Sequence, residues 1–471
     1  MTAFEEIGFD ATAGRAVLRE LPTVPAVFAL YGAEAKDEPY VGRTPNLRGR
    51  LERLLMPSEK HPRRLQLASR VKRIQWQRTG SEFESFLAQF NLLEEIFGGD
   101  RAVERMHLRA PAFLRYLGSN RYPRVAVTTR PSAREADWAY GPFASRAAAE
   151  RYLEEALKLF NLRRCVEDLE PDPQHPGCVY SEMKMCLAPC FGGCTDARYA
   201  EEAAAVERFL ATRGESRLVE LRTARDAASD ELEFEKAALL HAQVARVEGI
   251  RALAPELVRP ASAQRAIVLQ AAAEPGSVAV FLFENGRLRG PGLYSTLGMR
   301  IQNEQSGSSS LFAQPMAILP VPEEQGTREQ GAREQGTREQ GNEGLGTRDC
   351  EVAQTGNREQ EIENSADAGL ENDAAEVRSA APSPAARKQM RDLLEARWED
   401  LLADLAVWGG VPSAAVRQGH MALVKRWYYR PEVKRVGEIF FPDEDGQWPV
   451  KSILRGIGRV AARAMDGQQS Y

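Results

Sequence analysis

Residues 322–383 restrict most strongly how this chain of 471 residues can fold. The pentads TREQG, AREQG and TREQG repeat there with a period of five, which fits neither the period of a buried helix nor that of a half-buried strand. The segment is rich in Glu, Gln, Gly and Arg and poor in aromatic residues, so it cannot bury a core. We therefore predict a long disordered linker that separates a large N-terminal part from a short C-terminal part.

The negative charge of the same segment outweighs the net positive charge of the rest of the chain. Its 15 acidic and 6 basic side chains give a net charge of −9, against −5 for the whole sequence, so the other residues together carry +4. Residues 40–80 alone hold 11 Lys or Arg against Glu52 and Glu59. A basic block of this density is typical of a surface that follows nucleic-acid phosphates, and a solvated helix face is the alternative.

Five of the six cysteines lie within thirty residues, namely Cys165, Cys178, Cys186, Cys190 and Cys194. The first residues, MTAFEEIGFD, lack the basic flank and apolar core of a signal peptide, and no later stretch has about 18 uninterrupted apolar residues. We therefore expect a cytoplasmic protein. In a reducing compartment such a cluster favours a metal or iron–sulfur site over disulfides, and Cys350, in the linker, is expected to be a free thiol.

Outside the linker, short β-rich runs alternate with helical periods, so the predicted fold class is α+β. Strands are predicted at 25–32, 39–43, 74–79, 123–129, 266–270 and 277–283, and strand-like runs at 425–431 and 437–442. Helices are predicted at 46–55, 63–73, 82–97, 145–160, 196–212, as a pair over 217–253, at 390–408 and at the C-terminal end. A turn is predicted at Tyr140–Phe143.

Two adjacent motifs carry the first functional signal. Tyr40-Val41-Gly42-Arg43 ends a predicted strand, and Asn46-Leu47-Arg48-x-Arg50-Leu51 begins the next helix. Together with the strand Ala26-Val27-Phe28, they resemble the GIY-YIG nuclease family. The resemblance implies a small mixed α/β domain in which Tyr40 positions or deprotonates water and Arg50 neutralises transition-state charge, with Arg43 in place of a lysine.

Further motifs resemble the UvrC family, whose members belong to the bacterial UvrABC excinuclease. They are Tyr140-Gly141-Pro142-Phe143, Phe160-Asn161-Leu162-Arg163-Arg164-Cys165 and Met185-Cys186-Leu187-Ala188-Pro189-Cys190. The similarity covers roughly residues 20–255. It implies that an iron–sulfur cluster is held by Cys165, Cys178, Cys186 and Cys190. Zinc also suits four thiolates, and unliganded buried cysteines are the remaining alternative.

Residues 228–238, ASDELEFEKAA, are similar to the UVR motif through which UvrC engages UvrB. The resemblance implies an αα-hairpin that offers an apolar stripe rimmed with charge to its partner. The implied partner-binding residues are Leu232, Phe234, Glu235 and Ala238. His241 and Ala242 stand where the family usually has Arg-Asp. A hairpin that packs only within its own chain is the alternative.

Two departures from the family pattern decide the functional hypothesis. Phe28 replaces the tyrosine of the first strand motif, and Gln89 falls on the glutamate that binds the catalytic metal in the family. A neutral amide is a poor ligand for Mg²⁺. Glu84, Glu94 and Glu95 do not project from the same face of the helix as Gln89. The candidate catalytic set is therefore Tyr40, Arg43, Arg50 and a degenerate Gln89.

The sequence thus predicts a UvrC-like protein of nucleotide excision repair that binds damaged DNA and UvrB and carries a degenerate nuclease site. The alternative is an active endonuclease that makes one Mg- or Mn-dependent incision beside the lesion. A third hypothesis is an unrelated cysteine-cluster regulator. The RNase H-like nuclease and the helix-hairpin-helix motifs of the family are not recognisable. The predicted DNA contacts are Arg48, Arg53, Arg63, Arg64, Lys72 and Arg73.

Six regions are predicted along the chain. They are a GIY-YIG nuclease-like domain at 20–105, a helical Cys-cluster domain at 106–215, the UVR hairpin at 216–255, a partial β-rich domain at 256–321, the linker at 322–383, and a C-terminal α/β segment, helical and then basic and aromatic, at 384–471.

Overall fold

The computed structural model describes residues 4–12, 14–34, 36–56, 67–131, 138–167, 169–297, 299, 384–407, 410, 412–443 and 445–468. The described residues within 4–299 and 389–468 form one compact unit. The predicted linker lies outside the described residues, as do Arg63, Arg64 and Cys350. Within the described ranges, no helix combines the length and the apolar character needed to cross a membrane. The fold mixes helices with several small sheets, which confirms the α+β class.

The first sheet is antiparallel and has the strand order β1-β4-β2-β3. Its strands are β1 (Glu5–Gly8), β2 (Ala26–Tyr31), β3 (Tyr40–Thr44) and β4 (Arg73–Arg78), and its helices are α1 (Gly14–Glu20), α2 (Leu47–Leu55) and α3 (Glu82–Phe97). Alternate residues of β2 face opposite sides. Phe28 packs in the core with α1 and α2, whereas Val27 and Ala29 pack against α3. The predicted hairpin and the helices at 46–55 and 82–97 are confirmed.

The second sheet has the order β6-β5-β7-β8 and shares one core with a group of helices. After α4 (Gly99–Arg105) come β5 (Ala112–Tyr116), β6 (Val125–Thr128), β7 (Ala139–Phe143), α5 (Arg146–Leu157), α6 (Val179–Glu182), α7 (Asp196–Ala211), α8 (Glu215–Asp230), α9 (Phe234–Arg251) and β8 (Arg259–Pro260). Tyr152, Tyr199, Phe209 and Val247 are buried together, so the cysteine-bearing region and the base of the α8–α9 hairpin are anchored in the same core.

The third sheet, β11-β10-β9-β12, takes strands from both sides of the long segment that follows residue 299. It contains β9 (Arg265–Ala271), β10 (Ser277–Glu284), β11 (Arg287–Ser295) and β12 (Glu438–Phe440), with α10 (Pro384–Ala406), α11 (Ala414–Tyr428) and α12 (Val450–Gln468). Trp398 and Ile457 pack on Leu269 and Val280 in one core cluster. The C-terminal segment therefore completes the core that residues 265–295 begin, although the sequence suggested two separate regions.

Three local predictions are wrong, and tertiary pairing explains each of them. The run 140–143 is strand β7 rather than a turn, and a register shift in its pairing with β5 accommodates Pro142, which has no N–H to donate. Residues 67–72 are not helical, because β4 starts at Arg73 and pairs with both β1 and β2. The aromatic run at 425–431 continues α11 as far as Tyr428, because its Trp427 is buried against Phe83 of α3.

Helix α3 carries a buried carboxyl group. Glu84 is 3% exposed, and its Oε2 accepts a hydrogen bond from the Gly80 N–H at 2.8 Å. Burial raises the pKa of Glu84 to about 7, and the Gly80 hydrogen bond opposes this shift only in part. Between about pH 4.5 and about pH 7, the folded protein therefore holds a proton that the unfolded chain has released.

We expect Glu84→Gln to flatten the pH dependence of stability. The folded pKa of Glu84 lies above the unfolded one. The stability that the proton contributes is therefore fully present below about pH 4.5 and is lost as the pH rises through about 7. Wild type should lose at most about 3 kcal/mol of unfolding free energy across that window. The glutamine still accepts the Gly80 bond but does not titrate. Denaturant unfolding measured across this range tests the prediction. The control is Glu95→Gln at an exposed position of the same helix, and equal pH profiles for wild type and Glu84→Gln would contradict the prediction.

Candidate functional site

The predicted pair Tyr40 and Arg50 meets at the open edge of the first sheet. Tyr40 begins the edge strand β3, and Arg50 lies in the first turn of α2, where the Asn46 side chain accepts a hydrogen bond from the Gly49 N–H. Arg50 Nη2 donates to Tyr40 Oη at 3.4 Å. The Tyr40 ring lies 6.1 Å from the buried Phe28 ring. A phenol and a guanidinium therefore lie in contact at this edge of the sheet.

Arg43 makes its contacts with α3 instead. Its guanidinium carbon lies 3.7 Å from the centroid of the Phe86 ring, and Nη1 lies 4.0 Å from Oε1 of Glu82. Gln89 is half-buried on α3, three residues after Phe86 and seven after Glu82, so it shares their stripe of the helix. The four candidate catalytic residues therefore fall into two groups: Tyr40 with Arg50, and Arg43 with the α3 stripe that carries Gln89.

Three acidic residues of α3 near Gln89, namely Glu82, Glu84 and Glu94, are either paired with an arginine or removed at least in part from solvent. Glu84 lies in the interior, and burial also raises the pKa of Glu94. Glu82 accepts hydrogen bonds from Arg430, which hold the pKa of its carboxyl below the ordinary value. Among the described residues, no group of three or more His, Cys, Asp or Glu side chains is arranged to hold a metal ion.

Sequence reasoning missed two arginines that the structure brings to this stripe. Arg426 lies with its guanidinium carbon 4.2 Å from the Phe86 centroid, and Arg430 donates to both carboxylate oxygens of Glu82, at 2.8 and 3.0 Å. The two arginines are four residues apart. A helical interpretation of 425–431 would have put them on one face, but the strand-like interpretation separated them.

The other predicted DNA contacts are spread over α2 and the start of β4. Arg48 Nε donates to the Leu21 carbonyl at 2.7 Å, and Arg53 Nε donates to the Gly49 carbonyl at 2.9 Å. Arg73 forms a 3.1 Å ion pair with Glu6. Arg53 and Lys72 are exposed, whereas Arg48 is half-buried. Arg48 therefore has a structural role, since it is half-buried and donates to the Leu21 carbonyl. Arg53 and Lys72 are more accessible to a ligand.

The four candidate metal ligands lie close enough to influence one another electrostatically. Burial, and to a smaller extent the charges of Cys165, Cys178 and Cys190, together raise the pKa of the Cys186 thiol to about 11. Cys194 lies outside this set, although Cys190 contributes to the raised pKa of its thiol. All five described cysteines are free thiols.

Two of these thiols accept a hydrogen bond from a nearby N–H group. The Ala188 N–H donates to Cys186 Sγ at 3.3 Å, and Arg163 Nη1 donates to Cys165 Sγ at 3.5 Å. Arg163 is itself 2% exposed and also donates to the carbonyls of Tyr122 and Glu167. Hydrogen bonds to sulfur stabilise the thiolate form that binds metals. In the observed side-chain conformations, however, no three of the described cysteines are arranged to hold a metal ion.

The α8–α9 hairpin presents an apolar tip. Leu232, Phe234 and Leu239 are 70%, 66% and 67% exposed, and Glu235 and Ala238 beside them are also exposed. At its other end, the hairpin is buried through residues such as Leu218, Leu221, Val244 and Val247. All four predicted partner-binding residues therefore lie on an accessible surface that the core holds in place.

Comparison with known proteins points to one family over the first half of the chain. Residues 113–209 match the family model described as the UvrC/Cho excinuclease middle domain. The UvrABC system protein C of Alcanivorax borkumensis is 30% identical over 227 residues, which are 48% of this chain and 37% of the relative. The protein of the same name from Ruegeria sp. strain TM1040 is 29% identical over 231 residues, 49% of this chain and 35% of the relative.

A third relative of that name, from Francisella tularensis subsp. holarctica, is 26% identical over 212 residues, 44% of this chain and 33% of the relative. No solved structure matches the chain. The matched region spans little more than a third of the length of these curated relatives. This chain is therefore similar to UvrABC system protein C over about half of its own length, and the cysteine cluster lies within the residues that match the family model.

Proposed function

We propose that this chain is a UvrC-like accessory protein of nucleotide excision repair that binds damaged DNA and UvrB without cutting the DNA. The exposed apolar tip of the α8–α9 hairpin is the observation that carries the proposal. Three large apolar side chains on one small surface are costly in water and mark an interaction site. The similarity to proteins named UvrABC system protein C supports UvrB as the partner that covers them.

The altered nuclease site supports the non-catalytic half of the proposal. Hydrolysis of a phosphodiester by this family's chemistry requires a divalent cation to offset developing charge on the phosphate. Gln89 offers a neutral amide where the resemblance places the anionic ligand, and Phe28 lacks the hydroxyl of the tyrosine that it replaces. The residues that remain suit DNA binding better than catalysis.

One contact favours a second candidate function. Tyr40 and Arg50 are in hydrogen-bonding contact, as a working site would require. On this alternative the protein is an endonuclease that makes a single Mg- or Mn-dependent incision beside the lesion, with another group supplying the metal ligand.

We propose further that Cys165, Cys178, Cys186 and Cys190 hold an iron–sulfur cluster, or zinc in its place. The mutual electrostatic influence of the four thiols and the N–H groups that donate to Cys165 and Cys186 support this assignment. A bound metal would crosslink the loop between α5 and α7, and its role would then be structural.

The hairpin proposal predicts that Leu232→Ser with Phe234→Ser weakens capture of UvrB. Each side chain contributes about 1.5–3 kcal/mol when fully buried, so the double variant should bind at least about 100-fold more weakly. Isothermal titration calorimetry with purified UvrB measures the change. Val219→Ser, an exposed position near the base of the same hairpin, is the matched control and should bind normally. Equal affinity of wild type and double variant would refute the assignment.

The nuclease hypotheses make opposite predictions for Gln89. We expect wild type with Mg²⁺ or Mn²⁺, UvrB and lesion-containing duplex to make no incision, and Gln89→Glu to restore partial nicking because a carboxylate can hold the cation. Denaturing electrophoresis of end-labelled duplex detects the nick. If wild type nicks efficiently and Tyr40→Phe or Arg50→Ala abolishes the nick, the endonuclease alternative is correct.

The cysteine proposal predicts metal in anaerobically purified protein. We expect elemental analysis to find iron, with brown colour, or zinc, and expect Cys186→Ser to lose both the metal and solubility. Metal binding contributes on the order of 10 kcal/mol to folding in small zinc domains, so the loop should unravel without it. Cys194→Ser, outside the proposed ligand set, is the control. Metal-free wild type would overturn the proposal.

A further inference from the structure

Three arginines from two distant parts of the sequence contact one stripe of α3, two of them over the Phe86 ring and the third at Glu82. Arg43 comes from β3, whereas Arg426 and Arg430 come from α11 and the residues that follow it, beyond the long intervening segment. The guanidinium carbons of Arg43 and Arg426 lie 3.7 and 4.2 Å from the centroid of the Phe86 ring. They are thus separated by no more than the sum of these two distances, which a single phosphate or two consecutive phosphates of a strand can span.

Positive charge exceeds negative charge in this cluster. Glu82 is the carboxylate that contacts it, through Arg430 at 2.8 and 3.0 Å and through Arg43 at 4.0 Å. Arginine stays protonated in proteins. Desolvation lowers the pKa of Arg43, and the positive charges of Arg426 and Arg430 lower it further, as expected where like charges are held together. An anionic ligand would relieve this repulsion.

The guanidinium groups are held in place but remain accessible. Phe86 is buried and provides a fixed platform for two of them, while the bidentate contact with Glu82 orients the third. The side chains of Arg43 and Arg430 are 34% and 26% exposed, and Arg426 is exposed. Pre-organised arginines lose little conformational freedom when they bind a planar or tetrahedral oxyanion.

We propose that Arg43, Arg426 and Arg430 form a binding site for the phosphate backbone of DNA, built jointly by the first sheet and the α11 region. This inference rests on the proposed DNA-binding function and adds the C-terminal part of the chain to the DNA-contacting surface. Arg43 and Tyr40 both belong to the edge strand β3, but they face opposite sides of the sheet, so a DNA strand bound at the arginine cluster lies on the α3 side and not on the side of the Tyr40–Arg50 pair. Arginines neutralise a phosphate without activating water, so the site holds DNA without cleaving it.

The test compares single and double substitutions in the full chain. Fluorescence anisotropy with a short fluorescein-labelled duplex, over a range of salt concentrations, gives the affinity and its salt slope. Each phosphate contact contributes a slope of about −0.9, so Arg426→Gln should reduce the slope by roughly 1 and Arg43→Gln with Arg426→Gln by roughly 2. Arg426→Lys should keep the slope and weaken binding, because the charge remains while the planar fork is lost.

Arg455→Gln removes the same charge from an exposed position of α12 and is the matched control. It should leave the affinity and the salt slope unchanged, and thermal unfolding should show that all variants fold. Salt slopes equal to that of wild type in Arg426→Gln and in the double variant would overturn this inference while leaving the DNA-binding function standing. Wild type that does not bind DNA would overturn both.

Discussion

Burial of α3 on both sides is the constraint on which the rest of the structure depends. Ala88 and Leu92 pack against Val27 and Ala29 of the first sheet. Phe83, Phe86 and Phe90 pack against the third sheet and α11. A helix that is apolar around most of its circumference is stable only between two layers. The first sheet and the C-terminal segment are therefore held together through α3, and arginines from both contact this helix near Phe86.

The central position of α3 determines which side chains surround Gln89. On the proposed resemblance to a nuclease, this helix would carry the metal ligand at the position of Gln89, and its stripe contacts arginines of β3 and α11. Catalytic chemistry and phosphate binding make different demands, since the first needs a cation held by carboxylates and the second needs pre-organised guanidinium groups. The architecture meets the second demand. Together with the exposed hairpin tip, it suits a protein that holds DNA and a partner at once.

Much of the local structure could be predicted from the sequence. The hairpin of β2 and β3, the helices α2 and α3, and the α8–α9 pair follow from the periodicity of their apolar residues and from the β-rich runs. The Tyr40–Arg50 contact was predictable as well, because a short connection joins their strand and helix. The errors at 67–72, 140–143 and 425–431 lie where pairing or burial by distant elements outweighs local propensity.

The sequence by itself determined which chemistry is available: a phenol and arginines near the N-terminus, an amide at position 89, a cysteine cluster, and an apolar hairpin tip. Only the tertiary structure decided which of these groups meet. It brought Arg426 and Arg430 to Arg43 across more than half of the chain and paired β12 with β9. The physical reason is that these contacts depend on apolar faces, each of which fits several partners, and only the packing of the whole core selects one arrangement.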